Sequence, residues 1–227
     1  MIKKHIPNAI TCANLFSGCI GVVYAFTGAL DVAAYFVLLS GTFDFFDGLV
    51  ARALNVKSSI GKELDSLADM VSFGFLPGVV MFKLLMVSDF SSPWLPYLGF
   101  VITIFSALRL AKFNVDTRQT ENFIGLNTPM NTLLIVSLPF IQKDYPQIIG
   151  STLFLIALTV ILSWLLISEI RIFSMKLSNL SWGHNKYKYL FLISSVTLAI
   201  VLKFVAVPFI ILLYIGFSIV HFKKIKA

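Results

Sequence analysis

Charged residues are scarce in this sequence. Asp, Glu, Lys and Arg make up only 13% of its 227 residues, whereas in soluble domains they average about a quarter. Hydrophobic residues make up 58%, and the mean hydropathy is +0.89. This balance excludes a soluble globular domain and predicts an integral membrane protein that crosses the bilayer several times.

Cysteine and histidine are rare as well. The two cysteines, Cys12 and Cys19, lie in the first hydrophobic stretch, where we expect small buried residues. They offer neither a disulfide framework nor the spacing of a zinc site. None of the three histidines lies at ligand spacing from another. A disulfide-stabilised scaffold and a cysteine or histidine metal site are therefore excluded.

Long hydrophobic runs account for most of the chain. A helix needs about 20 apolar residues to cross the hydrocarbon layer, and eight segments approach this length. They are separated by breakers such as Gly28, Pro146 and Pro208. We expect an all-α polytopic membrane protein with about eight transmembrane helices, at residues 8–27, 32–52, 62–86, 94–113, 128–142, 147–169, 188–205 and 207–222.

Positive charge is distributed unevenly between the two sides of these segments. With the N-terminus in the cytoplasm, all but three of the 18 Lys and Arg residues fall on the cytoplasmic side; the exceptions are Lys83, Lys143 and Lys203. The positive-inside rule then predicts a cell-membrane protein with both termini in the cytoplasm. We expect the cytoplasmic cations to face anionic lipid head groups, so the net charge of +7 does not indicate a nucleic-acid partner.

Four aspartates are concentrated at the predicted cytoplasmic ends of the second and third segments: Asp44, Asp47, Asp65 and Asp69. Spacings of three and four residues place both carboxylates of a pair on one helix face. Unpaired carboxylates in apolar surroundings are costly, so the cluster needs a counter-charge. Oxygen ligands suit hard cations, and two carboxylates on each of two helices can hold two of them. We therefore expect Mg²⁺ or Mn²⁺, with two ions, and an active site on the cytoplasmic side.

The stretch that contains these aspartates reads D-x2-D-G-x2-A-R-x8-G-x3-D-x3-D and resembles the signature of the CDP-alcohol phosphotransferase family. Every position matches, from Asp44 through Gly48, Arg52 and Gly61 to Asp69. The resemblance implies one integral membrane domain over residues 1–227. In it, a six-helix catalytic core at about 5–180 precedes a helix pair at about 188–222.

The resemblance also implies roles for the acidic residues. All four aspartates, Asp44, Asp47, Asp65 and Asp69, would bind metal, and Asp69 is the position assigned to the general base. The residues alone leave open whether Asp69 is the base, a metal ligand or both.

Five residues are expected to bind the CDP-lipid: Asn8, Gly48, Arg52, Ser58 and Gly61. Gly48 would let the backbone approach cytidine diphosphate, although a small residue there also suits helix packing. Arg52 offers a planar fork to phosphate oxygens or serves as an interfacial anchor. Ser58 bonds the nucleotide or is simply solvated. Gly61 would let the third segment start close to the second.

Asn8 belongs to the segment I-P-N-A-I-T at residues 6–11. This segment resembles the Pro-Asn-x-x-Thr start of the first core helix in the same family, which implies a position near the nucleotide. The resemblance also includes Pro7 and Thr11, which we assign more weakly. The alternative role for Asn8 is that of an ordinary N-cap.

Three later segments, at residues 106–114, 123–129 and 166–176, resemble the phosphatidylserine synthase branch of the family. The branch implies transfer of the phosphatidyl group from CDP-diacylglycerol to L-serine. Serine is a zwitterion, so its pocket needs a cation and neutral polar groups. We expect Arg109 and Lys112 to supply the cation, and Asn114 and Asn127 the polar groups. Lys112 and Asn127 depart from the branch pattern, and both cations also suit the role of interfacial anchors.

Two other functions stay open at this point. The same chemistry could use another acceptor alcohol, such as glycerol phosphate or inositol phosphate, although a phosphorylated acceptor would require more cations. A metal-ion or solute transporter would also carry intramembrane carboxylates, but those are expected near the middle of a span and often within an inverted repeat. Homodimer formation is a further expectation.

Overall fold

The computed structural model describes residues 5–56, 58–90, 92–119, 122–175 and 181–225, and nearly all of them are helical. The helices are α1 (His5–Thr27), α2 (Leu30–Ala53), α3 (Ser59–Asp69), α4 (Leu76–Met86), α5 (Phe100–Val115), α6 (Thr128–Asp144), α7 (Pro146–Ile149), α8 (Thr152–Ile167), α9 (Trp182–Leu202) and α10 (Ala206–Ile225). A π-helical segment, Met70–Phe75, joins α3 to α4 without a break, and a 3₁₀ turn, Leu95–Gly99, precedes α5.

The all-α polytopic architecture is confirmed, because the eight predicted segments each correspond to a long helical stretch. Five stretches of the described chain are long and apolar enough to cross a membrane: His5–Thr27, Leu30–Ala53, Ser59–Met86, Leu95–Val115 and Asn185–Lys223. The last of these includes most of α9 and α10. Helices α6 and α8, with 17 and 16 residues, are shorter. The protein is therefore an integral membrane protein.

Helix α1 is the central element of the N-terminal half. It packs along α2 and also contacts α3, the π segment and α4. Small residues make this close packing possible: a Cβ at Gly18 would collide with Ser72, and one at Gly21 would lie 2.6 Å from a methyl carbon of Leu76. Close backbone approach through small residues is characteristic of helix packing in membranes. As a result, α1 lies against both helices that carry the aspartates.

The π segment begins at the residue after Asp69 and has no signal in the sequence. A π turn leaves backbone groups without their usual helical partners, and such turns are frequent at functional sites. Here the carbonyl oxygen of Phe73 accepts a hydrogen bond from Thr132 Oγ1 at 2.7 Å, and that of Gly74 accepts one from Thr103 Oγ1 at 3.1 Å. The wide turn thus ties α3 and α4 to α5 and α6 directly behind the aspartates.

Two short strands, β1 (Phe123–Ile124) and β2 (Arg171–Ile172), form an antiparallel pair that the sequence did not predict. The pair is extended by backbone hydrogen bonds from Gly125 to Ile170 and from Leu126 to Leu165, both 2.9 Å long. Gly125 adopts a φ of 76°, a conformation that favours glycine. The strands join the segment before α6 to the segment after α8.

Two details of the sequence-based prediction were wrong. The chain reverses between α9 and α10 at Lys203, with a φ of 51°, whereas Pro208 lies within the first turn of α10. Proline is tolerated there because the first N–H groups of a helix have no partner inside the helix. In addition, Cys12 and Cys19 are exposed on α1 rather than buried.

Candidate active site

Three of the four aspartates come together where α2 and α3 face each other. Asp44, Asp47 and Asp65 each place a carboxylate oxygen within 4.8 Å of those of the other two. Asp47 is buried, and the other two are partly buried. Such a group of carboxylates could hold a metal ion, and oxygen ligands alone favour a hard cation such as Mg²⁺.

One atom in this group supports a cation in particular. Asp65 Oδ1 is buried and has no hydrogen-bond partner among the described residues. Buried carboxylate oxygens normally accept hydrogen bonds, because leaving them unpaired is costly. A bound cation would supply the missing partner, so the residues present fit a metal site.

Asp69, the fourth aspartate, is outside this group and is held by α1. Its Oδ1 accepts a hydrogen bond from Asn14 Nδ2 at 3.3 Å. The Asn14 side chain is fully buried and is fixed in turn by Ser72, whose Oγ donates to Asn14 Oδ1 at 2.7 Å. Ser40 Oγ donates to the Asn14 backbone carbonyl at 3.2 Å. Asp69 is therefore oriented by a neutral, buried hydrogen-bond network.

Asp47 has a similar partner on α1. Thr11 Oγ1 donates a hydrogen bond to Asp47 Oδ2 at 2.7 Å, and both side chains are buried. Asn14, Thr11 and Ser72 thus orient the acidic residues without adding charge. The family resemblance indicated Thr11 only weakly, and Asn14 is visible in the sequence as a polar residue within the first hydrophobic segment, suited to a bond between helices. Nothing in the sequence indicated Ser72, because only the fold brings Ser72 to Asn14.

A pocket of about 260 Å³ lies beside the carboxylate group. Its lining includes four of the five residues predicted to bind the CDP-lipid: Asn8, Gly48, Ser58 and Gly61. The fifth, Arg52, adjoins it, since a Cβ at Gly48 would lie 3.5 Å from Arg52 Nη1. The pocket is lined in full by Pro7, Asn8, Thr11, Asp47, Gly48, Ala51, Val56, Ser58, Gly61, Lys62 and Asp65.

Two residues at the start of α3 shape this pocket. Ser58 is the N-cap of α3, because its Oγ accepts a hydrogen bond from the Gly61 N–H at 3.1 Å. A Cβ at Gly61 would lie only 2.9 Å from Asn8 Oδ1. The glycine is therefore needed for the close approach of α3 to α1, whereas the sequence suggested an approach to α2. Asn8 lies within α1, three residues after its first described residue, His5, which excludes the N-cap role.

Arg109, predicted to bind the acceptor, is 6% exposed. Its Nε donates to the Leu126 carbonyl at 3.2 Å and its Nη1 to Thr128 Oγ1 at 3.3 Å. The guanidinium carbon lies 5.3 Å from the ring centre of Phe113. Arg109 also interacts electrostatically with Asp69. A buried guanidinium fixed in this way is placed between the strand pair and the acidic site, and it is not an exposed interfacial anchor.

The four predicted acceptor residues do not share one pocket. Arg109 and Lys112 line a pocket of about 280 Å³. Asn114 instead donates to Ser66 Oγ on α3 at 2.8 Å. Asn127 is the N-cap of α6 and lines a different, largely apolar pocket of about 400 Å³.

An exposed ion pair borders the pocket of Arg109 and Lys112. Arg118 donates to the Asp116 carboxylate through Nη2 at 2.8 Å and through its own backbone N–H at 2.9 Å. These hydrogen bonds hold the pKa of the Asp116 carboxyl well below its usual range. Arg118 Nη1 also reaches Glu169 at 3.2 Å. The charges of this rim are thus largely paired with one another.

Comparison with known proteins identifies the family. The sequence model of the family described as CDP-alcohol phosphatidyltransferase matches residues 4–220. The CDP-diacylglycerol–serine O-phosphatidyltransferase of Bacillus subtilis (strain 168) is 32% identical over 74% of this chain and 89% of its own length. The proteins of the same name from Helicobacter pylori (strain 26695) and Saccharomyces cerevisiae (strain S288c) are 32% and 36% identical, over 73% and 62% of this chain and 70% and 55% of their own lengths. The chain therefore belongs to the CDP-alcohol phosphatidyltransferase family.

Proposed function

We propose that this CDP-alcohol phosphatidyltransferase transfers the phosphatidyl group of CDP-diacylglycerol to the hydroxyl group of L-serine, which gives phosphatidylserine and CMP. The observation that carries the proposal is the carboxylate group of Asp44, Asp47 and Asp65, which adjoins a pocket lined by Asn8, Gly48, Ser58 and Gly61. The choice of serine is supported by the names of the relatives and by the buried cation Arg109.

In the proposed reaction the serine hydroxyl oxygen attacks the phosphorus atom of the phosphatidyl group. The new P–O bond forms as the bond to the CMP oxygen breaks, and the hydroxyl proton passes to Asp69. We propose two ions of Mg²⁺ or Mn²⁺. When bound, they would supply positive charge that stabilises the negative charge of the pyrophosphate. Asp44, Asp47 and Asp65 would hold these ions, and Asp69 would contribute as a ligand where its role as base allows.

The position of Asp69 supports its role as general base. It lies outside the three-carboxylate group, and Asn14 fixes one of its oxygens at 3.3 Å. An amide donor orients the carboxylate without a formal charge, so the carboxylate keeps its ability to accept a proton. General bases must be held within hydrogen-bond reach of the proton that they remove, and the network of Asn14, Ser72 and Ser40 provides that rigidity.

Arg109 is the best-supported acceptor residue. Its hydrogen bonds use Nε and Nη1, and among the described residues Nη2 has no hydrogen-bond partner. Nη2 is then available to the carboxylate of serine, and Arg109 lines a pocket together with Lys112. Arginine suits this role because its planar fork matches carboxylate geometry. Asn114 and Asn127 would act less directly, through α3 and the start of α6.

The proposal also includes the expected membrane topology and the division of the domain. The distribution of Lys and Arg supports a cytoplasmic active site and cytoplasmic termini. We also keep the division into a core at about 5–180 and a helix pair at about 188–222 within one domain, 1–227. The expected homodimer has no supporting observation and stays a prediction.

A labelled-acceptor assay tests the proposal. Purified protein in micelles that contain CDP-diacylglycerol is incubated separately with labelled L-serine, glycerol phosphate and inositol phosphate. We expect label to enter lipid only from serine, with one CMP released per lipid formed and no turnover in excess chelator. Incorporation from glycerol phosphate or inositol phosphate instead would establish the alternative acceptor. Asp65→Asn serves as the inactive control.

A further inference from the structure

The C-terminal helix pair carries no sequence motif, yet buried polar groups of α10 hold the segment that follows β2. Tyr214 Oη donates a hydrogen bond to the Phe173 carbonyl at 2.7 Å. The Phe173 N–H donates to Ser218 Oγ at 3.3 Å. Tyr214 is 3% exposed and Ser218 fully buried. Because both backbone groups of Phe173 are bound, α10 fixes this residue much as a neighbouring strand would.

From Phe173 a continuous set of contacts leads to Arg109. The preceding residue, Ile172, pairs with Phe123 in the two-stranded sheet. The chain leaves β1 through Gly125, whose N–H is bound to Ile170, and reaches Leu126. The Leu126 carbonyl accepts the hydrogen bond from Arg109 Nε. The position of this carbonyl therefore depends on the strand pair, and the strand pair is held by α10.

A second connection is shorter. Tyr214 lines the pocket of about 400 Å³ together with Asn127, which lies between the two hydrogen-bond acceptors of Arg109, Leu126 and Thr128. Leu126 and Thr128, which accept the hydrogen bonds of Arg109, are thus the sequence neighbours of Asn127, and Asn127 lines the same pocket as Tyr214.

We propose that Tyr214 and Ser218 are positioning residues for the acceptor alcohol, because they hold the strand pair that orients the Arg109 guanidinium. This inference rests on the proposed function, which assigns Arg109 to the carboxylate of the acceptor. Without this anchor the guanidinium would adopt more orientations and bind a carboxylate less tightly. In the described structure the carboxylate group on α2 and α3 forms no hydrogen bond or ion pair with Tyr214 or Ser218, so we expect little change in donor binding and chemistry.

Steady-state kinetics test the proposal. Tyr214→Phe removes only the hydroxyl group, and we expect the KM for L-serine to rise about three- to tenfold, the range for loss of one neutral hydrogen bond. The kcat and the KM for CDP-diacylglycerol should stay within about twofold of the parent, as expected for a site without shared contacts. Ser218→Ala should change the KM for serine in the same direction. Tyr35→Phe, which alters an exposed ring on α2, is the matched control and should change nothing.

A double-variant comparison tests whether Tyr214 acts on serine binding through Arg109. In an Arg109→Ala background, Tyr214→Phe should add little to the KM for serine, because the group that Tyr214 positions is already absent. Full additivity of the two effects would show that Tyr214 acts on serine affinity without Arg109 and would overturn the proposal. A fall in kcat together with an equal rise in both KM values would also overturn it, because that pattern indicates general loosening of the fold.

Hydrogen–deuterium exchange gives a readout that does not depend on the acceptor assignment. Tyr214→Phe should accelerate exchange in peptides that cover 122–126 and 170–175, and not in peptides from α1. Unchanged exchange together with an unchanged KM for serine would refute the positioning role. If Arg109→Ala left the KM for serine unchanged while Tyr214→Phe still accelerated exchange in the strands, the acceptor assignment of the proposed function would be wrong, and the hold of α10 on the strand pair would stand.

Discussion

The hydrogen bond from Thr11 to Asp47 allows a quantitative test of the metal site. The Thr11 Oγ1–Asp47 Oδ2 distance is 2.7 Å, and the two side chains are 3% and 7% exposed, so solvent screens the interaction little. A hydrogen bond to a charged group contributes about 1.5–3 kcal/mol, which corresponds to about 10- to 100-fold in a binding constant. Loss of a partner that orients a metal ligand typically weakens metal binding by a similar factor, about 10- to 100-fold.

We therefore expect Thr11→Val to raise the Mg²⁺ or Mn²⁺ concentration needed for half-maximal CMP release by about 10- to 100-fold. At saturating metal the kcat should be largely recovered, because the Thr11 hydroxyl bonds the metal ligand Asp47 and not the groups that react. Thr11→Ser should restore most of the metal response, since it keeps the hydroxyl donor. Calorimetric titration of the metal into protein without lipid gives the same comparison independently of turnover.

The matched control is Thr27→Val, the same substitution at an exposed position where Thr27 Oγ1 bonds only the Tyr24 carbonyl of its own helix. It should leave the metal response unchanged. The reasoning would be refuted if Thr11→Val and the parent protein gave superimposable metal titrations, because Asp47 would then need no orienting donor to bind metal.

Three further predictions concern other groups of the site. Asp69→Asn should lower kcat by about 10²–10⁴, the usual contribution of a general base, while CDP-diacylglycerol binding measured by titration stays near the parent value; near-normal turnover would exclude Asp69 as the base. Arg109→Ala should raise the KM for serine by about 10- to 100-fold, the range for a charge-assisted hydrogen bond, and Arg109→Lys should recover part of it; equal KM values in all three proteins would contradict the assignment. Gly61→Ala should raise the KM for CDP-diacylglycerol several-fold more than that for serine, because the new Cβ would lie only 2.9 Å from Asn8 Oδ1 and would displace the Asn8 side chain. An unchanged KM for CDP-diacylglycerol would contradict the assignment of Asn8 to the nucleotide pocket.

The parts of the site geometry that could be predicted from the sequence are those that local spacing determines. Asp44 and Asp47 share one turn of α2, so their common face follows from helical periodicity alone. Asp65 lies near the start of α3, and only a short loop separates α2 from α3, so the aspartates of both helices reach the same region. The three carboxylates that lie within 4.8 Å of one another therefore all come from one continuous segment of the sequence.

The parts that the sequence did not predict depend on contacts between distant segments. Ser72 reaches Asn14 because the π turn rotates the chain after Asp69, and no residue type specifies a π turn. The acceptor residues were grouped by sequence motifs, yet Asn114 turns to α3 and Asn127 caps α6. The strand pair that holds Leu126 under Arg109 has only two residues in each strand, too few to show an alternating pattern.

Helix α1 connects the locally determined aspartates with the contacts between distant segments, because it supplies neutral hydrogen-bond donors to two of the aspartates. In the described part of the chain none of the four aspartates forms a salt bridge, and the ion pairs found there involve Arg118. Helix α1 instead presents a hydroxyl group to Asp47 and an amide to Asp69. A lysine or arginine in place of Thr11 or Asn14 would satisfy the carboxylates but would compete with a bound cation for the same oxygens. Neutral donors orient the carboxylates and leave their charge available to a cation, and an unpaired buried charge is costly enough to favour cation binding. The neutrality of α1 is thus as much a part of the metal site as the aspartates themselves.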